Sequence, residues 1–314
     1  MTEAARVAAA DPGATADGGS VPLTPDGAPH GQPVLDRLVA LLDLERIEEN
    51  IFRGVSPAES PVRVFGGQVA GQALVAAGRT VPSERRVHSM HAYFIRPGDP
   101  RIPIVYEVDP IRDGRSFTTR RVTAIQRGKA IFALSASFQL DEPGIDHSEQ
   151  MPDVPAPETL ATFAEQVEPL GELGKQRMRL PRPIDIRYAT EPAWQTRGTP
   201  GDARTQVWMR ADGVLPDDQL LHVCVLTYCS DMTLLDSVLA RHGVYWGLDD
   251  VNGASLDHAL WFHRPFRADQ WVLYDTTSPT ASGARGLATG RFFTQSGTHI
   301  ATVVQEGLLR VKRK

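Results

Sequence analysis

The sequence predicts an α+β protein that contains two copies of one unit, a helix followed by an antiparallel sheet. A run of small residues typical of a closely packed helix, GGQVAGQALVAAG at 66–78, precedes four apolar or β-branched runs between 91 and 139. The breaks between these runs, RPGDP, RDGR and QRGK, are turn sequences. FIRP at 94–97 then returns as FHRP at 262–265, an offset of 168. A repeat of this size indicates two copies of the unit.

The first unit begins with a helical pattern in VLDRLVALLDLERIEENIFRG. Leu35, Leu38, Leu42 and Ile47 recur at helical spacing, and prolines at 57 and 61 end the pattern. The helix at 66–78 follows, and its small residues let it lie close against a sheet. Its GGxxxG pattern is not a phosphate-binding loop, because GxGxxG and GxxxxGK[ST] are both absent.

The second unit contains an apolar run of helix length, LLHVCVLTYCSDMTLLDSVLARHG at 220–243, and four further strand-like runs. These runs are HALWFHRP, QWVLYDTTSP, RGLATGRFFTQSG and THIATVVQEGLLR. Aligning the helices of the two units needs an offset near 163, which places Asp231 against Gln68. The offset of 168 places Gln305 against Ser137, or against Gln139 after a slip of two. We expect the units to join edge to edge in one long sheet, which protects two strand edges.

The predicted organisation therefore has four parts. Residues 1–34 are rich in Ala, Gly, Pro and Asp and bury too little to order, so they form a disordered extension. Residues 35–142 form the first unit, and the proline-punctuated segment 143–183 is a linker with a few helical turns. Residues 184–314 form the second unit.

Composition excludes several classes of function. The net charge of -5 gives no basic surface for nucleic acid, and no apolar run approaches the roughly 18 residues that span a membrane. Cys224 and Cys229 are the only cysteines, too few for a disulfide scaffold or a metal cluster. HExxH is absent, and the first residues lack the pattern of a secretory signal. We therefore expect a cytoplasmic enzyme without a metal.

The stretch GASLDHALWFHRP at 253–265 suggests a hydrolase triad, but its geometry does not fit one. Ser255 and Asp257 share one face of a strand and His258 points to the other, and the GxSxG elbow is missing. Ser255 stays a candidate, with Asp231 and Gln305, which are polar residues in apolar surroundings. Structural alternatives are a helix N-cap for Asp231, a strand-end bond for Gln305 and a turn residue for Ser255.

Motifs from about residue 35 to the C-terminus resemble acyl-CoA thioesterase II, the TesB-type double-hotdog thioesterases. The matching motifs are LERIEENIFRG, VFGGQVAGQAL, VHSMHAYFIRPGDP, RDGRSFTTRRV, QVWMRADG, YCSDMTLL, SLDHALWFHRPF and VQEGLLR. The resemblance implies a double hotdog, in which each helix is wrapped by a curved antiparallel sheet. It also implies an acyl-CoA substrate and a homo-oligomer, a dimer or a tetramer.

The same resemblance assigns the catalytic group to Asp231, Ser255 and Gln305, with no cofactor and no metal. The hydroxyl position is commonly threonine in this family, and serine keeps its donor and acceptor. Asp257, His258, His263 and Arg264 are then structural.

Thioester hydrolysis needs no protein nucleophile, because the carbonyl is electrophilic and the thiolate leaves readily. A carboxylate can activate a water, and backbone amides at a helix start can bind the oxyanion. One alternative is a hotdog hydratase, which needs a histidine; 66–78 has none, and 220–243 has only His222 and His242. The other is a non-catalytic acyl-CoA-binding protein, which would not need the three residues.

Overall fold

The chain forms one continuous antiparallel sheet of 13 strands in the computed structural model, which describes residues 30–57, 63–178 and 180–312. The first repeat contains two helices, α1 (Gln32–Leu42) and α2 (Gly66–Gly78), and six strands. These strands are β1 (Glu45–Glu48), β2 (Ile51–Gly54), β3 (Arg85–Phe94), β4 (Ile104–Asp113), β5 (Phe117–Gln126) and β6 (Lys129–Leu140). The repeat has the predicted small-residue helix followed by four strands of one antiparallel sheet, but these strands are not a simple meander, because β3 pairs with β6 and with a strand of the second repeat, and β4 pairs with β2.

The segment between the repeats holds two short helices, α3 (Phe163–Val167) and α4 (Glu172–Met178). The second repeat contains α5 (Gln219–Ser230), α6 (Asp236–Ala240) and seven strands. The strands are β7 (Ile184–Tyr188), β8 (Arg204–Ala211), β9 (Val251–Ser255), β10 (Asp257–Phe262), β11 (Val272–Ser282), β12 (Arg285–Thr294) and β13 (His299–Val311). None of the helices in this described part of the chain has the length and apolarity needed to cross a membrane.

The two repeats meet edge to edge, as the repeat predicts. The strand order is β1-β2-β4-β5-β6-β3-β10-β13-β12-β11-β8-β7, with β9 paired to β13. At the seam β3 pairs with β10, and Asp257 lies opposite Tyr93 and Ala259 opposite His91. Each β10 residue corresponds to the β3 residue 168 positions earlier, and exchanging all corresponding residues leaves the pairing of the two strands unchanged. A pseudo-twofold axis therefore passes through the Ala259–His91 pair, whose two members correspond to each other.

The helices α2 and α5 lie antiparallel against each other because glycines remove side chains at their contact. A Cβ on Gly67 would lie 2.3 Å from the Tyr228 carbonyl oxygen, and one on Gly71 would lie 3.3 Å from that of Cys224. A Cβ on Gly78 at the other end would lie 2.5 Å from Leu220. The predicted helix offset near 163 is therefore wrong. α2 begins at Gly66 and α5 at Gln219, so the two helices correspond at an offset of 153. The predicted offset was larger because the apolar run of the second repeat continues well past the end of α5.

The first predicted helix is shorter than its pattern. α1 ends at Leu42, and residues 45–54 form the β1–β2 hairpin, in which Ile47 is 51% exposed. The hairpin places Phe52 in the core, fully buried, which a continued helix would not do. α1 also begins earlier than residue 35: Gln32 starts it, and the Gly31 N–H donates to the Asp212 carboxylate at 2.7 Å. The remainder of the predicted disordered extension, residues 1–29, lies outside the described residues.

The segment between the repeats covers the outer face of the second repeat. Trp208 of β8 points away from α5, and its indole N–H donates to the Pro155 carbonyl at 2.9 Å. It forms a second apolar cluster with Trp271, Leu273 and Phe293. The main core, on the other face of the sheet, surrounds α2 and α5 and leads directly to the site described next.

Candidate active site

Asp231 lies directly after the last residue of α5, and its carboxylate reaches the start of α2. The Gly67 N–H donates to Asp231 Oδ2 at 2.9 Å. α2 has no side-chain cap of its own, because Phe65 occupies the N-cap position. Asp231 therefore does bond a helix amide, but that helix belongs to the other repeat. It is not the N-cap of the helix that follows it, since α6 begins at Asp236.

Ser255 and Gln305 converge on the other carboxylate oxygen of Asp231. The Ser255 hydroxyl, at the end of β9, donates to Asp231 Oδ1 at 3.3 Å. The Gln305 amide, on the inward face of β13, donates to the same Oδ1 at 3.0 Å and to Ser255 Oγ at 2.8 Å. The fold thus brings together all three residues named from the resemblance. Two of them lie on paired strands, because Ser255 is opposite Gly307 in the β9–β13 ladder.

His258 is a fourth member of this network and was expected to be structural. Its Nδ1 contacts Gln305 Oε1, and its Nε2 lies 2.8 Å from Ser230 Oγ. The ring is completely buried. The sequence held a signal for this residue: His258 shares the inward strand face with Leu260 and Phe262, so a polar side chain stands in an apolar row. The three other residues expected to be structural bond elsewhere: Asp257 accepts from the Glu306 N–H, His263 contacts the Thr302 hydroxyl, and Arg264 donates to the His299 carbonyl.

Burial governs the protonation of the network. Removal from water raises the pKa of the Asp231 carboxyl; a protonated His258 would oppose this rise, and the hydrogen bonds from Gln305, Gly67 and Ser255 do oppose it. Burial also lowers the pKa of His258. The imidazole is accordingly neutral near pH 7, and Asp231 is a stronger proton acceptor than an exposed aspartate.

Asp231 and Ser255 line a cavity of about 760 Å³ that lies between the start of α2 and the end of α5. Its apolar walls include Phe94, Ile131, Phe132, Leu235 and Trp246. Two exposed arginines, Arg63 and Arg96, also line it. No group of three or more His, Cys, Asp or Glu side chains suited to a metal ion occurs among the residues that the structure describes.

The pseudo-twofold axis generates a second cavity, of about 700 Å³, at the opposite ends of the same two helices. Gly78 lines it in the place of Asp231, and Val87 in the place of Ser255. The N-terminus of α5 there is closed by its own Asp218, whose carboxylate accepts from the amides of Leu220 and Leu221. This second cavity therefore has a similar size, but it has no carboxylate in the place of Asp231 and no hydroxyl in the place of Ser255.

Strand register also corrects the predicted partner of Gln305. The Ala259–Val304 pair places His258 opposite Gln305 on the next rung, and the corresponding pair in the first repeat is Met90 with Ala136. Ser137 and Gln139 are wrong as counterparts because they lie on the other strand face. The last strands of the two repeats correspond at an offset that is one residue larger than 168. A constant offset of 168 therefore assigned the wrong counterpart to Gln305.

Comparison with known proteins identifies the family. Two family models match, "Acyl-CoA thioesterase" at residues 179–308 and "Acyl-CoA thioesterase N-terminal domain" at residues 56–139. Acyl-coenzyme A thioesterase 8 from Mus musculus is 40% identical over 88% of this chain and 89% of its own length. Acyl-CoA thioesterase 2 from Haemophilus influenzae is 40% identical over 88% of this chain and 98% of its own. The chain belongs to the acyl-CoA thioesterase family. The enzyme is a thioester hydrolase.

Solved structures agree with this assignment and with the double-hotdog fold. Acyl-CoA thioesterase II TesB2 from Mycobacterium marinum is 44% identical and superimposes with a TM-score of 0.72, over 88% of the enzyme and 98% of that chain. A tesB protein from Mycobacterium avium is 31% identical with a TM-score of 0.74, over 88% and 99%. Both cover the two repeats, so the predicted fold class is confirmed.

Proposed function

We propose that the enzyme hydrolyses acyl-CoA thioesters to a free fatty acid and CoA with a water activated by Asp231, Ser255 and Gln305. One observation carries the proposal: a carboxylate and a hydroxyl on the wall of a mostly apolar cavity lie within hydrogen-bonding distance of each other and of a buried amide that donates to both. The names of the relatives supply the substrate class.

The proposed reaction begins with a water bound between Asp231 and Ser255. Asp231 takes a proton as the water oxygen forms a bond to the thioester carbonyl carbon, and Ser255 and Gln305 fix the direction of attack. The Gly67 amide donates to Asp231, and the other first-turn amides of α2, which have no partner within their helix, lie at the positive end of its dipole, which faces the cavity. They bind the oxyanion, which collapses to the acid as the carbon–sulfur bond to CoA breaks.

The cavity also fits the two ends of the substrate. Its apolar walls receive the acyl chain, and Arg63 and Arg96 supply guanidinium groups that suit the phosphates of CoA. The two cysteines are not nucleophile candidates: both are buried, and burial raises the pKa of each thiol well above its ordinary value. His258 is buried behind Gln305, so it does not offer the exposed imidazole that a hotdog hydratase requires.

Asp231→Asn tests the proposal. The asparagine keeps the volume and an acceptor for Gly67 but removes the charge, so kcat for thiol release from acyl-CoA should fall roughly 10²- to 10⁴-fold with the fold intact. Asp218→Asn is the matched control, because it removes a carboxylate at a helix end in the second cavity and keeps a good cap. Near-normal turnover in folded Asp231→Asn would exclude the mechanism. Binding of acyl-CoA without any thiol release by the wild-type enzyme would favour a non-catalytic binding protein.

A cytoplasmic location, a role in lipid metabolism and homo-oligomeric assembly complete the proposal. The two free, buried cysteines are compatible with a reducing compartment. The outer face of the first repeat supports assembly, because β3 presents Tyr93 there with 66% of its surface exposed.

A further inference from the structure

The orientation of the Gln305 amide decides whether the catalytic group is assembled. The two ends of a glutamine amide have nearly the same shape, but one donates and the other accepts. Only the orientation with Nε2 toward Asp231 and Ser255 gives both of them a donor. The reverse would set Gln305 Oε1 against the Asp231 carboxylate, where two acceptors repel.

His258 stands at the other end of this amide, in contact with Gln305 Oε1. A proton on His258 Nδ1 stabilises the amide orientation in which Gln305 Nε2 faces Asp231 and Ser255. An unprotonated Nδ1 favours the opposite amide orientation. The neutral ring carries one proton, so the partner of Nε2 determines which nitrogen has it.

Ser230 is that partner. Its Oγ lies 2.8 Å from His258 Nε2 and 2.8 Å from the Thr227 carbonyl oxygen, and its single proton can serve one of them. If Ser230 donates to His258 Nε2, the proton on Nδ1 faces Gln305. Every donor in this series of hydrogen bonds then has an acceptor. If Ser230 donates to Thr227, a neutral His258 must carry its proton on Nε2, and Nδ1 is left bare. Only the first arrangement agrees with an ionised Asp231.

The first repeat shows that the two residues change together. Met90 and Ala136 occupy the positions of His258 and Gln305, on paired strands and almost fully buried. The second cavity has Gly78 in the place of Asp231, and there the polar pair is replaced by an apolar one. Packing at this position therefore does not require a histidine. The histidine is required by its partner, the amide of Gln305.

We propose that His258 is a positioning residue, which orients the amide of Gln305 toward Asp231 and Ser255 through an Nδ1 proton that Ser230 maintains. This inference rests on the proposed function. His258 does not line the cavity, so its loss acts on kcat and leaves KM almost unchanged.

The test compares His258→Met with His258→Asn. Methionine is the residue of the first repeat and removes the donor, so kcat should fall roughly 10- to 100-fold with KM unchanged. Asparagine can place an amide N–H near the position of Nδ1, so it should restore most of the lost kcat. Thermal melting of each variant reports folding.

The decisive measurement repeats His258→Met in a Gln305→Ala background. If His258 acts through Gln305, the second change should lower kcat no further, and an equal loss in both backgrounds would overturn the inference. Unchanged kcat in His258→Met would overturn it too. Normal kcat in Gln305→Ala alone would instead refute the proposed function. If His258→Met fails to fold, Ser230→Ala replaces it in the same two backgrounds. Ser230→Ala leaves the His258 ring in place, and it should lower kcat several-fold only when Gln305 is present.

Discussion

The carboxylate of Asp231 and the backbone amide of Gly67 are joined by a 2.9 Å hydrogen bond that crosses from one repeat to the other. The residue that we propose as the base therefore also caps the helix whose other first-turn amides we propose as the oxyanion donors. Its orientation depends on how closely α2 approaches the end of α5, and the first glycine pair of α2 sets that distance.

Gly66→Ala should damage the site through this contact. The added Cβ would lie 2.5 Å from Asp231 Oδ2 and 3.0 Å from the Phe94 ring, so the carboxylate must move and lose its bonds to Ser255 and Gln305. We expect kcat to fall by at least about 10-fold. Gly144→Ala, in the segment between the repeats, is the control: an added Cβ there has no neighbour within 4 Å, and activity should be kept. Equal kcat in both variants would contradict this account.

Asp236 should make stability depend on pH. It is 8% exposed and accepts from the Trp246 indole at 2.9 Å, and burial raises its pKa to about 7. The unfolded chain loses this proton near pH 4 and the folded chain only near 7, so the group lowers stability progressively as pH rises between those values. Asp236→Asn keeps the acceptor and removes the ionisation. Its melting temperature relative to wild type should rise from pH 4 to 7 and then stay level; a constant difference would refute the assignment.

Arg96 should contribute to binding the nucleotide end of the substrate. It is exposed and lines the cavity, so Arg96→Ala should raise KM for acyl-CoA roughly 3- to 10-fold with kcat little changed. Acyl-pantetheine, which lacks the phosphates, should show no such change. Arg101→Ala removes an exposed arginine that pairs with Asp99 outside the cavity lining, and it should leave both constants unchanged. An equal KM change with both substrates would place the phosphates elsewhere.

Light scattering should give a solution mass above the 34.3 kDa of one chain. Tyr93 projects from the outer face of the sheet beside the seam, and tyrosine is enriched at protein interfaces. Tyr93→Arg should lower the measured mass or weaken association. Val214→Arg changes a residue that is 73% exposed in the loop before α5, and it should have no effect. A wild-type mass of one chain at micromolar concentration would refute the assembly.

The sheet was predictable from local chemistry, and the first hairpin was not. Turn sequences such as QRGK separate alternating runs, which is how β5 and β6 were found. The residues around Ile47 instead matched a helix, because apolar positions three to five apart fit both a helix and a tight hairpin. The hairpin forms instead of a helix because it places Phe52 in the core, where Phe52 contacts strands that are distant in the sequence.

The site was predictable in its members but not in its connections. Asp231, Ser255 and Gln305 could be named because their motifs resemble those of the family, and Asp231 and Gln305 also stand out as polar residues in apolar runs. The contact of Asp231 with Gly67, 164 positions away in the chain, depends on the packing of two helices. The pairing of His258 with Gln305 depends on strand register, which a one-residue shift between the repeats conceals.

The contribution of both repeats to one site has an evolutionary consequence. A homodimer made from single units would have to preserve the glycine pair, the carboxylate, the hydroxyl and the amide in every copy, and it would carry two identical sites. A single chain with two repeats has no such obligation, because each half always meets the other half. One half can then supply the α2 amides and the other the proposed acid–base group, so neither half expressed alone should hydrolyse thioesters.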